Sequence, residues 1–304
     1  MSDAVLSFSH QPLHLVLEQA RSALEREGRV RVRVPNPDLG LGLYPGEPTG
    51  AGIHRPYSVW LDVADRLECH FLTPLSLGEQ VELTFVKPQA RDAPHTLEKY
   101  NPDSEFGRIN KLEDPCFVED MLEALSRINL QAGARVLSVG VNTGNELELL
   151  EQVYPDLALE VIALDLNSRA LEVARERFPQ FTFLERDLND LPFLELGKFD
   201  LIVCLSVLQS SGIDKDLVFR TLLREHLSSS GGIIIGLPNC RYLDGRVSYG
   251  ARMRNFRKPD LSLLLADLTL YRRHLQKHGF RVYVTGKYEV LLTAVRIYSN
   301  SHND

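Results

Sequence analysis

Five consecutive residues, Gly140, Val141, Asn142, Thr143 and Gly144, together with Asp165, have the types and spacing to handle a nucleoside. Val136, Leu137 and Val139 before them read as a buried strand, which breaks at Gly140 and gives way to a helix near Asn145. A strand, a glycine-containing turn and an amphipathic helix form the phosphate- or nucleoside-cradling edge of a doubly wound sheet. Loops with two glycines are common, so the weight falls on the residues downstream. The apolar run 159–165 ends on Asp165, 21 residues after Gly144. That is near the offset of about 20 residues at which a carboxylate grips ribose hydroxyls. Two acceptor oxygens on one group match two vicinal hydroxyl donors.

Elements that position these residues come in regular order. Phe117, Met121, Leu122, Leu125 and Ile128 mark a helix leading into the first strand. Helical spacing over 167–178 precedes a short strand at 181–185 and the polar run 186–193. Another strand, 199–205, runs into Ser206, and a helix near 214–227 leads to Gly231-Gly-Ile-Ile-Ile-Gly236. Strands that are apolar throughout and alternate with helices imply a parallel sheet covered on both faces. A helix at 261–278 and strands at 281–285 and 289–295, turning at Gly286, close the chain.

The first hundred residues read as a small α+β accessory region. Leu13, Val16, Leu17, Ala20 and Leu24 fall at helical spacing, and residues 29–34 alternate arginine with valine. The arginine face suits an anionic ligand or, more blandly, solvent. Residues 35–56 are rich in proline and glycine and form loop, Trp60 to Leu67 suggests a short helix, and 81–86 another strand. Residues 87–115 are polar and read as the linker, within which 100–111 is either a connector or a lid over the neighbouring site. The expected division is therefore 1–115 and 116–304.

Composition bounds the function. The 304 residues carry a formal charge of −7, which argues against wholesale nucleic-acid coating. Charge is uneven, however. Residues 239–304 have 12 basic and 5 acidic side chains. Cys69, Cys116, Cys204 and Cys240 lie far apart without metal-ligand spacing, so free thiols in a reducing compartment and no metal are expected. No apolar run is long enough for a membrane helix. A cytoplasmic location is expected.

Residues from about 117 to 297 resemble a class I S-adenosylmethionine-dependent methyltransferase. The match rests on Gly140-Val-Asn-Thr-Gly144, Asp165, Asp187 in Arg-Asp-Leu-Asn-Asp-Leu-Pro-Phe, and Lys198-Phe-Asp-Leu-Ile-Val-Cys204, with the C-terminal hairpin agreeing. The resemblance implies a seven-stranded, mostly parallel sheet with an antiparallel strand from that hairpin. It implies S-adenosylmethionine as cofactor: Ser138, Gly140, Val141, Asn142 and Gly144 under its methionine part, Asp165 and Leu166 at the ribose, Asp187 and Leu188 at the adenine, and Leu205 and Ser206 beside the methyl. A nicotinamide-binding Rossmann domain usually shows GxGxxG, which Asn142 and Asn145 interrupt. Two positions depart from the methyltransferase pattern. The family usually begins its glycine motif on an acidic residue that helps hold the cofactor's ammonium end, and here Ser138 offers only a neutral hydroxyl. Asn142 replaces the middle glycine, and asparagine is the side chain best able to accept positive φ.

Methyl transfer mainly requires alignment. No catalytic base stands out, and no Asp-Pro-Pro-Tyr-type sequence follows the fourth strand. His226 reads as a helix-end residue. Residues 237–258 form a long connection at the carboxyl end of the sheet, with six basic side chains among Tyr242, Tyr249 and Phe256. Gln209, Asn239, Tyr242, Tyr249 and Arg252 are the candidate acceptor-binding residues. The leading expectation is methyl transfer to a small anionic or planar molecule. An RNA methyltransferase using the basic loop, and a non-catalytic S-adenosylmethionine-binding module, are the alternatives.

Overall fold

The structure is a computed structural model that describes residues 5–88, 101–105, 107–210, 212–250 and 261–297. It divides into two compact units, Met1–Asp92 with Tyr242–Ser248, and Ala93–Arg241 with Tyr249–Asp304.

In the smaller unit, β1 (Val5–Ser7) lies parallel to β2 (Arg29–Pro35), and between them runs α1 (Leu13–Glu27). Gly28, at φ 70°, ends that helix in the left-handed conformation glycine tolerates. A two-residue pair, β3 (Pro48–Thr49) and β4 (Gly52–Ile53), precedes α2 (Tyr57–Arg66). The short strands β5 (His70–Phe71) and β6 (Leu75–Ser76) both pair with β7 (Gln80–Val86), which is antiparallel to β2. The alternation of β2 does what its period requires: Val30, Val32 and Val34 are buried against Ala20, Leu24, Trp60 and Phe85. On its other face, Arg31 and Arg33 share the buried Glu82 of β7, at 3.3 and 2.9 Å. Residues 242–248 complete this unit. Asp244 Oδ2 lies 3.0 Å from His70 Nε2, and Arg246 Nη1 donates to the Cys69 carbonyl at 2.8 Å.

The larger unit contains α3 (Pro115–Ser126), β8 (Arg135–Val139), α4 (Asn145–Val153), β9 (Glu160–Asp165), α5 (Ser168–Arg177) and β10 (Thr182–Glu185). These are followed by β11 (Phe199–Leu205), α6 (Lys215–Thr221), β12 (Leu227–Pro238), α7 (Ser262–Lys277), β15 (Phe280–Thr285) and β16 (Glu289–Arg296). Between β12 and α7 in sequence come the paired β13 (Cys240–Leu243) and β14 (Arg246–Tyr249), whose residues 242–248 belong to the smaller unit. Seven strands form one sheet in the order β10-β9-β8-β11-β12-β16-β15. The first five are parallel, and β16 enters antiparallel to both its neighbours. The doubly wound sheet and the antiparallel hairpin strand are therefore present as the sequence implies.

Strand periodicity divides the core into two layers. Leu137, Val139, Ile202, Cys204, Ile233 and Ile235 face α6 and α7 residues such as Phe219, Tyr271 and Leu275. The alternate residues Val136, Leu201, Val203 and Ile234 face Met121, Leu125, Leu147 and Leu171 of α3, α4 and α5. Each layer removes hundreds of Å² of apolar surface from water, at about 25 cal/mol per Å². Ser138 falls between Leu137 and Val139 and so belongs to the α4 side, where it is 1% exposed. The expected helix at 214–227 is interrupted: α6 ends at Thr221, a wider π turn spans Leu222–His226, and β12 begins at Leu227. All four cysteines are free. Among the described residues, no helix is long and apolar enough to cross a membrane.

Candidate active site

The loop after β8 alternates in handedness. Gly140, Asn142 and Gly144 have φ of 72°, 49° and 81°. Gly140 must be glycine for a second reason: a Cβ there would lie 2.2 Å from Val207 Cγ2, so this loop packs directly against the one after β11. Asn142 holds the central left-handed position that few other side chains tolerate. The turn survives its substitution. It also aims the Asn142 backbone N–H at Asp165 Oδ2, 2.8 Å away, while the Asn167 N–H donates to Oδ1 at 2.8 Å. Burial raises the Asp165 carboxyl above the usual range, and these backbone donors oppose that rise. The Leu166 backbone N–H adds to them, and a carboxylate's remaining lone pairs are what a ligand could use. Arg177 fastens the loop from α5 by donating to the Thr143 carbonyl and, at 2.9 Å, to Asn145 Oδ1.

Ser138 does not stand alone. Its hydroxyl donates to Glu146 Oε1 at 2.7 Å from the first turn of α4. Burial pushes the Glu146 carboxyl up to about 7, further raised by Asp165 and offset by the Ser138 bond, its own backbone N–H and the charge of Lys111. Val141 is buried behind the loop.

Farther along the sheet edge, Asp187 follows β10 and accepts from the Asn189 N–H at 2.9 Å, capping the 3₁₀ turn Leu188–Phe193. Leu188 is buried, whereas Leu166 is 50% exposed beside Asp165. Leu205 ends β11 half-buried, and Ser206 turns away at φ 57°. Its hydroxyl donates to Glu289 Oε1 at 2.6 Å, and Lys111 Nζ donates to Glu289 Oε2 at 2.5 Å and to Ser206 Oγ at 3.2 Å. Glu289 is 6% exposed and stands over Gly236, whose added Cβ would meet its Oε1 at 2.2 Å.

The residues around Lys111 run across these strand ends. Asn101 Oδ1 accepts from Asn167 Nδ2, and Asn110 Oδ1 from Asn145 Nδ2, each at 3.2 Å. The described part of 100–111 thus touches the loops after β8, β9 and β11, as a strap over the candidate site would.

The candidate acceptor residues divide. Both amide atoms of Gln209 are buried without a hydrogen-bond partner among the described residues, and so is Asn239 Oδ1, although Asn239 Nδ2 donates to the Lys287 carbonyl at 2.8 Å. Tyr249 is 43% exposed with its ring 6.1 Å from that of Tyr288. Tyr242 belongs to the smaller unit, and Arg252 lies outside the described residues. His226 is buried, with its ring nitrogens 3.1 and 3.4 Å from the Gly197 and Leu191 carbonyls, away from the loops after β8, β9 and β11. Lys111, Glu146 and Glu289 were not expected from the sequence. Among the described residues, no cluster of histidine, cysteine and carboxylate could hold a metal ion.

A family model described as a methyltransferase domain matches residues 136–231. The chain is 30% identical to a trans-aconitate 2-methyltransferase from Paracidovorax citrulli over 119 residues, 39% of this chain and 44% of that protein. It is 37% identical to a demethylmenaquinone methyltransferase from Renibacterium salmoninarum over 70 residues, 23% of this chain and 27% of that protein. The chain spans less than half the length of these curated relatives. A crystal structure of a SAM dependent methyltransferase from Aquifex aeolicus aligns with a TM-score of 0.44 and 21% identity, over 63% of this chain and 98% of that one.

Proposed function

We propose that this chain, whose residues 136–231 match a methyltransferase-domain model, is a class I S-adenosylmethionine-dependent methyltransferase that methylates a small, anionic or planar acceptor. One observation carries the reading. The loop of alternating handedness at 140–144 is tied to the Asp165 carboxylate through the Asn142 N–H at 2.8 Å. The chain's own residues fit the cofactor. Gly140 and Gly144 let the loop keep its left-handed turns while packing on Val207 and Phe178, the Asp165 carboxylate would meet the ribose hydroxyls, and Asp187 and Leu188 would border the adenine. When bound, S-adenosylmethionine supplies an electrophilic methyl group on a sulfonium, so the protein's task is mainly alignment.

On the acceptor side, Ser206 sits one residue from the Val207 that packs on Gly140, and it joins Lys111 to Glu289. An ammonium with a third donor to spare suits a carboxylate on the acceptor. The unpartnered Gln209 amide and Asn239 Oδ1 offer donors and acceptors for its remaining polar groups. The trans-aconitate methyltransferases among its relatives support a small carboxylate substrate. An acceptor that is already an oxyanion needs no base, in keeping with a site where none stands out. Arg31 and Arg33 both engage Glu82, which leaves the strand-borne arginine face less suited to phosphate than its sequence suggests.

The test is incubation with S-adenosylmethionine labelled in its methyl group and a panel of small di- and tricarboxylates. Label transferred to one of them supports the reading. Transfer to RNA alone, or to nothing offered, counts against it.

A further inference from the structure

Glu146 is a carboxyl without a cation of its own. It points inward from the first turn of α4 to the Ser138 hydroxyl at 2.7 Å. Among the described residues no lysine, arginine or histidine nitrogen forms an ion pair with it, whereas the neighbouring Lys111 is bound to Glu289 at 2.5 Å. A carboxylate drawn into a site and held by a hydroxyl and its own backbone N–H, without an ion pair, is costly, and such groups are normally paired. Ser138 is 1% exposed and is the penultimate residue of β8, two before Gly140, and Glu146 stands two after Gly144, so the pair brackets that loop from its two ends.

Resting on the methyltransferase reading, the geometry points to Glu146, oriented by Ser138, as the counter-ion of the amino-acid ammonium of S-adenosylmethionine. The carboxylate stands eight residues beyond Ser138 in the first turn of α4. Asp165 is committed to backbone N–H groups of Asn142, Leu166 and Asn167, and Glu289 to Lys111 and Ser206. Glu146 is the acidic group at this loop that remains for a cation brought by the ligand.

The pairing carries a pH signature. The charged groups facing Glu146 are Lys111 from the strap and Asp165 from the end of β9. With its carboxyl pushed up to about 7, Glu146 is mostly protonated at pH 6 and mostly ionised at pH 8. The ligand's ammonium is better held by the ionised form, so affinity rises with pH across this interval.

The experiment is calorimetric titration of the full chain at pH 6 and pH 8 with three probes: S-adenosylmethionine, S-adenosylhomocysteine, and methylthioadenosine, which lacks the ammonium. Wild-type affinity for the first two is expected to rise about tenfold from pH 6 to pH 8, the change in ionised fraction of a group titrating near 7. Glu146→Gln removes that rise and weakens both at pH 8 about tenfold, while methylthioadenosine binds both proteins alike. Ser138→Asp combined with Glu146→Gln restores affinity by returning the carboxylate to the strand end. If Glu146→Gln binds S-adenosylmethionine within about twofold of wild type and keeps its pH dependence, the assignment is overturned and the methyltransferase reading stands. Weakening of S-adenosylmethionine alone overturns it in favour of a sulfonium contact. Wild type that is folded and binds none of the probes overturns both.

Discussion

Lys111 and Glu289 stand 178 residues apart in sequence and meet at 2.5 Å, with the Ser206 hydroxyl bonded to both. The contact joins the strap before α3, the loop after β11 and the start of β16. Glu289 is 6% exposed, so its charge depends on this one lysine. Lys111→Met leaves a buried carboxylate unpaired and is expected to destabilise the protein by about 3 kcal/mol. Adding Glu289→Gln should recover much of that loss. Urea denaturation of the two variants beside wild type measures both.

The left-handed position of Asn142 makes a sharper prediction about backbone. Asn142→Gly retains the turn and the N–H that holds Asp165, so cofactor affinity should stay within about threefold of wild type. Asn142→Val places a β-branched residue at φ 49° and is expected to destabilise by about 1–2 kcal/mol. Its cofactor affinity should fall as well, because a relaxed turn moves that N–H. Thermal unfolding with and without S-adenosylmethionine separates the two effects.

Gly140 is constrained by a neighbour as well as by its own φ. A methyl group there meets Val207 Cγ2 at 2.2 Å, so Gly140→Ala should weaken cofactor binding and lower the melting temperature. Val207→Ala in the same chain removes the obstructing atom and should restore part of the loss, leaving the strain of alanine at φ 72°. A melting temperature for the double variant no higher than for Gly140→Ala contradicts this packing account.

Much of this was legible in sequence because the determinants were local. The apolar Val136, Leu137 and Val139 and the runs 159–165 and 199–205 read as strands buried on both faces, and Gly140, Gly144 and Asp165 came at the spacing their chemistry needs. Lys111, Glu146 and Glu289 were not legible. An acid in the first turn of a helix ordinarily faces solvent and the helix dipole, and nothing local marks Glu146 as turned toward Ser138. Glu289 opens a strand, and only the sheet order places it over Gly236. Nor was it legible that residues 242–248 of the 237–258 connection complete the N-terminal unit, through partners 174 and 177 positions away. A pairing across such a separation leaves no periodic trace.

Glu146 sets stability and binding against each other. Its carboxyl is raised from 4.5 to about 7, so the folded protein holds this proton more tightly than the unfolded chain does. Stability is therefore lost as pH rises between these values, and the full penalty applies above 7. Glu146→Gln should leave stability nearly unchanged at pH 5 and raise it at pH 8 by on the order of 1–2 kcal/mol, allowing for partial solvent access. Denaturation at the two pH values checks the sign. A variant less stable than wild type at pH 8 contradicts it.

The central claim is that the loop at 140–144 with Asp165 holds S-adenosylmethionine. Calorimetric titration of the purified chain with the cofactor at pH 8, beside Asp165→Asn, tests it most directly. The account predicts saturable one-site binding by wild type, with Kd of about 1–100 µM, and weakening of at least about tenfold in the variant, which keeps one acceptor oxygen and loses the charge. Wild type that is folded by circular dichroism and gives no binding heat at about millimolar cofactor would contradict it.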